Sequence, residues 1–442
     1  MSTRYLFDLS RLLYRADRPT PTGIDRVELA YARWLLETCP DRLAFCATTW
    51  EGRRLGPLPF AGAARLVEGL QRLWHGGGDA FAQARLRRQA QALQLEAFIR
   101  GEAALHRRER RARERKTLVY LLVSHHHLDR PALMARLKAA TGARFACLVH
   151  DLIPMEFPEY ARPGQAERHR RRMTTAAEQA EAVIFNSEAT AAAFRRFAES
   201  LGRSGAGPAA VAVPLGVDAP AAGDVMPEAP RAPYFVCVAT IEPKKNHLLL
   251  LNLWRTLAED LGPAAPRLVL VGQRGWENEN VIDMIERCAP LQGLVEEHDR
   301  VGDAAMRRLL AGARALLAPS FAEGYGLPLA EAMSLGAPVL CSDLAAFREV
   351  GQGVPEYLDP LDGPGWRRAI LDYAQAGSPR RADQLKRLAG WGRPDWADHF
   401  AAVRPLLEGL DDAAAAQRAQ NRALHDEEAV APASPRPGRS AA

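Results

Sequence analysis

Short, continuous apolar runs alternate along this chain with longer stretches in which apolar residues recur at helical spacing. Tyr5 to Leu9, Thr117 to Ser124 (TLVYLLVS), Phe145 to Val149, AVIF ahead of Asn186 and VAVPL ahead of Gly216 read as strands, Thr117 to Ser124 as a buried one. Helical stretches lie between them. In PTPTGIDRVELAYARWLLE, for example, Val27, Ala30, Tyr31, Trp34 and Leu35 share one face. The alternation resumes at Tyr234 with a strand ending at Thr240 and a helix from about Asn246, then a strand from Arg267 to Val271. It continues with a strand from Leu291 to Glu296, a helix from Met306 to Ala313 and a final helix carrying Trp396, Phe400 and Val403. Such alternation predicts an α/β architecture with parallel sheets, and 442 residues exceed one core and fit two domains. The predicted division is 1–218, a linker rich in Ala, Pro and Gly over 219–232, and a second domain over 233–393. A helix over 394–410 and an Ala, Pro and Arg-rich tail over 411–442, expected to be disordered, complete the chain.

Residues 51–116 interrupt the pattern with apolar and basic residues mixed at helical spacing, ending in HRRERRARERK. Three readings stand: a solvated helix face, contact with an anionic bilayer through 100–116, or nucleic acid. No aromatic residue interleaves His106 to Lys116, and Glu109 and Glu114 sit at spacings that pair with nearby arginines, which weighs against nucleic acid. No window approaches a membrane span, and MSTRYLFDLSRLLYR lacks a signal-peptide core, so the expected location is cytoplasmic, with the bilayer reading placing it on the inner face of the cell membrane. Cys39, Cys46, Cys147, Cys237, Cys288 and Cys341 form no C-x-x-C pair and read as reduced core residues. A net charge of +5 is modest for this length, so only its local distribution bears on partners.

The richest stretch is Ala318 to Asp343, APSFAEGYGLPLAEAMSLGAPVLCSD. It reads as a strand, a glycine turn, and a helix opening near Pro328 with Leu329, Ala332 and Met333 on its buried side. Gly324 and Gly326 allow close backbone approach, and the free amides of the helix start favour an anion there. Glu323 and Glu331 flank that point, a layout suited to a sugar joined to a nucleoside diphosphate. Lys244 and Lys245, in the loop after the strand ending at Thr240, add cations beside another helix start.

These residues resemble the retaining, nucleotide-sugar-dependent GT-B glycosyltransferases of family 4, the glycosyl transferases group 1. The resemblance implies two Rossmann-like domains facing a central cleft. It also implies that Glu323 lies near the donor sugar, Glu331 on the ribose, and the Gly326 and Leu327 amides on the diphosphate with Lys245. His150, at the end of a strand beside Asp151, matches the family's active-site histidine, and Ser187, Gly216 and Asp218 match cleft landmarks. Gly23, Ile24 and Arg26 match the family's glycine loop, but Thr22 and Asp25 stand where glycines are usual. Thr240 stands where the family has an arginine, and Lys244 or Arg274 could supply that charge. The segment from Val295 to Val301 corresponds to the base-binding region, and His125, His126 and His127 are possible acceptor contacts or loop caps. No D-x-D occurs, so no metal or cofactor is expected. The loop TIEPKKN resembles that of mannosyltransferases acting on envelope polysaccharides. GDP-mannose is therefore the favoured donor, with a UDP-hexose or dTDP-sugar as the alternative, and a glycan or lipid-linked oligosaccharide the expected acceptor. The reading from a different class is a catalytically silent sugar-nucleotide or polysaccharide binding protein.

Overall fold

A computed structural model describes residues 3–49, 52–76, 79–112, 117–202, 207–219 and 233–410. Nearly all of the expected linker, the end of the basic run at 113–116 and the expected disordered tail lie outside these residues. The first sheet contains β1 (Arg4–Asp8), β2 (Leu43–Thr48), β3 (Leu55–Leu58), β4 (Leu118–Leu122), β5 (Arg144–Val149), β6 (Ala182–Phe185) and β7 (Ala209–Ala212). Its order is β3-β2-β1-β4-β5-β6-β7, parallel except for the β2–β3 pair. The second sheet contains β8 (Tyr234–Val238), β9 (Arg267–Val271), β10 (Val295–His298), β11 (Leu316–Ala318), β12 (Val339–Ser342) and β13 (Glu356–Leu358). It runs β10-β9-β8-β11-β12-β13 and is parallel throughout. In each sheet the strand order reverses beside its first strand, between β1 and β4 and between β8 and β11. Ligands of open parallel sheets sit outside the strand C-termini at such switch points.

The segment 51–116 is not simply a pair of surface helices. Its first residues form β3, an antiparallel edge strand that tolerates Pro57 because an edge needs fewer backbone donors. The helix Ala80–Ala112 covers that edge so closely that a Cβ on Gly56 would stand 2.0 Å from the Ala97 carbonyl oxygen. A second helix, Phe60–Gly76, buries Leu66, Val67, Leu70, Leu73 and Trp74. Gly62 and Gly69 let Leu93 and Leu86 of the covering helix nest against it.

Several boundaries differ from expectation: the last strand of the first sheet is the mostly exposed β7, Ala209–Ala212, rather than VAVPL, and β8 ends at Val238 rather than Thr240. A short helix, Ser10–Arg15, follows β1. The strand expected from Leu291 to Glu296 is β10, beginning at Val295, because Pro290 opens a tight turn over Ala289–Leu291. The helix expected from Met306 opens at Asp303. The final helix, over 396–410, packs against the first domain: the Phe400 and Trp34 rings stack at 4.4 Å, and Tyr31 and His399 share a 2.7 Å hydrogen bond. All six cysteines are free, and five are buried.

Candidate functional site

The loops after β8 and β11 flank the switch point of the second sheet, and their charged groups meet there. A tight turn, Pro243–Lys245, stops at Asn246, which takes a left-handed conformation before the helix His247–Leu261. That turn delivers the Lys245 ammonium to Glu323 Oε1, which also accepts from Ser320 Oγ at 2.8 Å. Burial alone would raise the Glu323 carboxyl, but Lys245 and Lys244 outweigh it and hold it below its ordinary range. Lys244 Nζ lies 3.3 Å from Glu242, and the Lys244 carbonyl accepts from Phe321 N–H at 2.8 Å, locking the two loops together. Burial would lower the Lys244 ammonium, yet Glu242, Asp151 and Glu323 raise it. Lys244 is thus held as a cation at neutral pH.

The helix after the turn is Leu327–Ser334, with Leu329, Ala332 and Met333 buried. Gly326 caps it at φ 110, and any Cβ there would press on the Phe347 ring at 2.7 Å, so the position needs glycine. Gly324 faces the other domain: an added Cβ would stand 2.2 Å from the His150 carbonyl oxygen, and the Gly324 carbonyl accepts from Ser187 Oγ at 2.8 Å. The turn therefore touches His150 directly. His150 is buried, its Nε2 lies 2.8 Å from the Val123 carbonyl, and burial holds its pKa near 4. A carbonyl only accepts, so Nε2 carries the proton and Nδ1 is left as an acceptor on a neutral ring.

Glu331 lies one turn further on, where Arg26 reaches it from the first domain at 3.9 Å while forming a bidentate pair with Asp303 at 3.0 and 2.6 Å. Burial and the nearby acids raise the Glu331 carboxyl, and Arg26 opposes them. Gly23 opens the helix Gly23–Thr38 against Leu327, whose Cδ1 would lie 3.2 Å from an added Cβ. The departure at Asp25 has a structural account. Fully buried, it accepts from Thr22 N–H at 2.7 Å, Arg11 Nε at 2.7 Å and Arg15 Nε at 3.1 Å, replacing a flexible glycine loop with a pinned one.

Arg274 stands apart from this cluster, its guanidinium engaged by Glu297 and Glu286 at 2.6 to 2.8 Å. Lys244, not Arg274, is the second cation that Glu323 feels. Thr240 instead packs against Gly275, whose Cβ would lie 2.9 Å from Thr240 Cγ2. The three consecutive histidines point apart. His125 accepts from His150 N–H at 3.1 Å, His126 lies beside the Tyr14 ring, and His127 lies 2.8 Å from the Tyr120 hydroxyl and 3.5 Å from Asp8. Asp218 lies 3.1 Å from His75 Nε2, and Gly216 packs against the Trp396 backbone.

Several cleft residues had no signal in the sequence. Trp74, His75 and Asp303 line a cavity with Arg26, Glu331 and Trp396. Tyr160 of the first domain stacks on Phe321 at 5.4 Å, and Glu349 caps the helix Glu188–Ser200 by accepting from the Glu188 and Ala189 amides, each at 2.7 Å. Each contact joins residues more than a hundred positions apart, so no local pattern announces it.

With this geometry in view, residues 232–375 match the family described as "Glycosyl transferases group 1". The chain is 34% identical over 163 residues to the O-antigen chain mannosyltransferase B of Escherichia coli, covering 37% of this chain and 42% of that protein. It is 29% identical over 196 residues to a phosphatidyl-myo-inositol mannosyltransferase of Mycolicibacterium smegmatis, covering 42% and 48%. The aligned part thus spans less than half the length of either relative. In overall structure the chain is similar to Anabaena HepE, solved in complex with UDP and glucose, with a TM-score of 0.60 at 14% identity over 92% of this chain and 99% of that one. Two Rossmann-like, largely parallel sheets facing a cleft make this the GT-B fold, and residues 232–375 of its second domain match the glycosyl transferases group 1 family.

Proposed function

We propose that this chain is a glycosyltransferase that moves a hexose, mannose by preference, from a nucleoside-diphosphate sugar to a glycan or lipid-linked acceptor in envelope polysaccharide synthesis. One observation carries the reading: Lys244, Lys245 and Glu323 meet beside the glycine-opened helix start at Gly326 and Leu327, in a crevice that His150 borders from the other domain.

Breaking the bond from an anomeric carbon to a diphosphate builds negative charge on the leaving group and positive charge on the sugar ring. The two lysines and the helix-start amides meet the former charge. Glu323 orients the sugar, and Glu331 takes the ribose hydroxyls. Neutral His150 accepts a hydroxyl hydrogen bond through Nδ1 instead of serving as an acid, because its pKa lies near 4. The transfer retains anomeric configuration, with the leaving phosphate taking the acceptor's proton on the same face. The relatives named as mannosyltransferases support mannose, and GDP-mannose is the proposed donor.

Thermal-shift titration against GDP, UDP and dTDP, followed by a transfer assay with the matching sugars, tests this. A ligand bound only by the native state raises its melting temperature with concentration. The expected result is stabilisation by GDP above the others and turnover with GDP-mannose. Stabilisation without transfer or hydrolysis of any nucleotide sugar would instead mark a silent binding protein.

A further inference from the structure

The helix Ala80–Ala112 buries one stripe, Leu86, Ala90, Leu93 and Ala97. Two residues on, about 200° round the axis, Arg88, Ala92, Leu95 and Ile99 form the opposite stripe, facing solvent. The apolar side chains on and beside it are unusually bare: Leu95, Phe98 and Ile99 are 48, 59 and 72% exposed, and Phe81 in the first turn is 72% exposed. Four of the eleven large apolar side chains exposed among the described residues thus lie on this one helix.

The charges around them are arranged with one sign outward. Arg85, Arg87 and Arg88 are exposed. The acids of the helix are engaged, Glu96 by Arg100, Glu102 by Arg136 and Glu109, buried, by Arg4. Past the kink at Gly101 the surface opens into a groove lined by Arg53, Arg54, His106, Arg130 and Arg136. The helix start is tied to the cleft, since Gln83 donates to the Asp17 carbonyl, in the loop that leads to Gly23. Phe81 and Ile99 are therefore the two ends of a strip about 27 Å long that begins beside the cleft.

We propose that this outward face docks the protein on an anionic phospholipid bilayer, with Leu95, Phe98 and Ile99 entering the headgroup boundary and the arginines meeting lipid phosphates. Apolar side chains flanked by guanidiniums match both layers of such a surface. A second copy fits poorly, because a two-fold contact through this face would bury Arg85, Arg87 and Arg88 against a helix whose acids are already engaged. The described start of the basic run that the sequence singled out, His106 to Glu109, is then the end of the surface rather than its centre. The inference does not depend on which sugar is transferred. It gives the cleft a fixed relation to a bilayer that could present a lipid-carried acceptor.

Co-sedimentation of the full chain with phosphatidylglycerol/phosphatidylcholine vesicles, beside phosphatidylcholine alone, tests the proposal. Salt-sensitive binding to the anionic vesicles only is expected. Phe98→Asp with Ile99→Asp should lower it at least about tenfold, and Arg85→Glu, Arg87→Glu and Arg88→Glu together on the order of 100-fold. These positions are exposed, so circular dichroism should stay native, and Phe98→Trp fluorescence should shift to the blue on anionic vesicles. Undiminished binding in both multiple variants, or equal binding to neutral vesicles, overturns the proposal. So does a wild-type dimer in light scattering that Phe98→Asp with Ile99→Asp turns into a monomer.

Discussion

The two walls of the cleft are built on opposite electrostatic plans. The wall from the second domain gathers full charges, Lys244, Lys245 and Glu323, from loops flanking a single switch point. The first domain sends a single guanidinium, Arg26, to Asp303 and Glu331, and behind the cleft it buries groups that burial keeps neutral: His125 and His150, whose imidazoles are held below their ordinary range, and Glu28, whose carboxyl is pushed up to about 8. On the proposed reading, the charged wall meets an anion that brings its own charge, and the neutral groups meet hydroxyls without leaving a charge unpaired.

The sharpest way to break this contrast is at the charged wall. Lys245→Ala or Glu323→Ala should each lower kcat/KM for transfer by roughly a thousandfold, as loss of a preorganised electrostatic partner does, with circular dichroism unchanged. Near-normal turnover in either variant would remove the assignment.

The neutral wall should show itself in acid. His150 titrates near 4 in the folded protein and near 6.5 when unfolded, so the unfolded chain binds the extra proton as pH falls. Stability should then drop between pH 6.5 and 4 by about 1.4 kcal/mol per pH unit for this imidazole alone. Urea midpoints across that range should flatten in His150→Asn. An equally steep profile in the variant would place the titration elsewhere.

Glu28 works in the opposite direction. Its folded pKa of about 8 lies above the ordinary 4.5, because burial and then Asp8 disfavour the charge, so its contribution is complete below 4.5 and lost as pH rises through 8. Glu28→Gln keeps an acceptor for Leu12 N–H and should be more stable than wild type at pH 9 by on the order of 2 kcal/mol. Identical pH profiles would mean the carboxyl is already ionised at neutral pH.

The smallest expected effect lies where the walls touch. Arg26→Ala strips Asp303, which is 7% exposed, of its bidentate partner and should cost on the order of 1 kcal/mol in chemical denaturation. No change would show that water screens the contact.

The charged wall was the legible one. Glu323, Gly326, Leu327 and Glu331 fall within one short stretch, and Lys244 and Lys245 follow a strand whose apolar run is continuous, so local patterning carries them. Of the first domain, His150, the three histidines before it, and Gly23, Ile24, Arg26, Ser187, Gly216 and Asp218 were read, the last six through the resemblance alone. Glu28 looks like any polar residue of an amphipathic helix until tertiary packing sets it beside Asp8. Asp25 appeared as a departure from a glycine loop, whereas its role depends on Arg11 and Arg15 from a short helix that the apolar pattern did not reveal. Likewise β3 and His75 sit in the segment whose mixed composition resembled a surface helix. Strand and helix identity follows from periodicity, but which side chain enters the cleft depends on partners far along the chain.

The pairing of Lys245 with Glu323 has a consequence for which molecules the crevice admits. While the two hold each other, they cancel much of the field that would draw in a passing anion. Orthophosphate could engage the ammonium only by stranding the carboxylate, so it should compete feebly. On the proposed donor reading, a molecule that presents an anion and neighbouring hydroxyls together satisfies both partners at once, so the pair favours the joined ligand over either half alone.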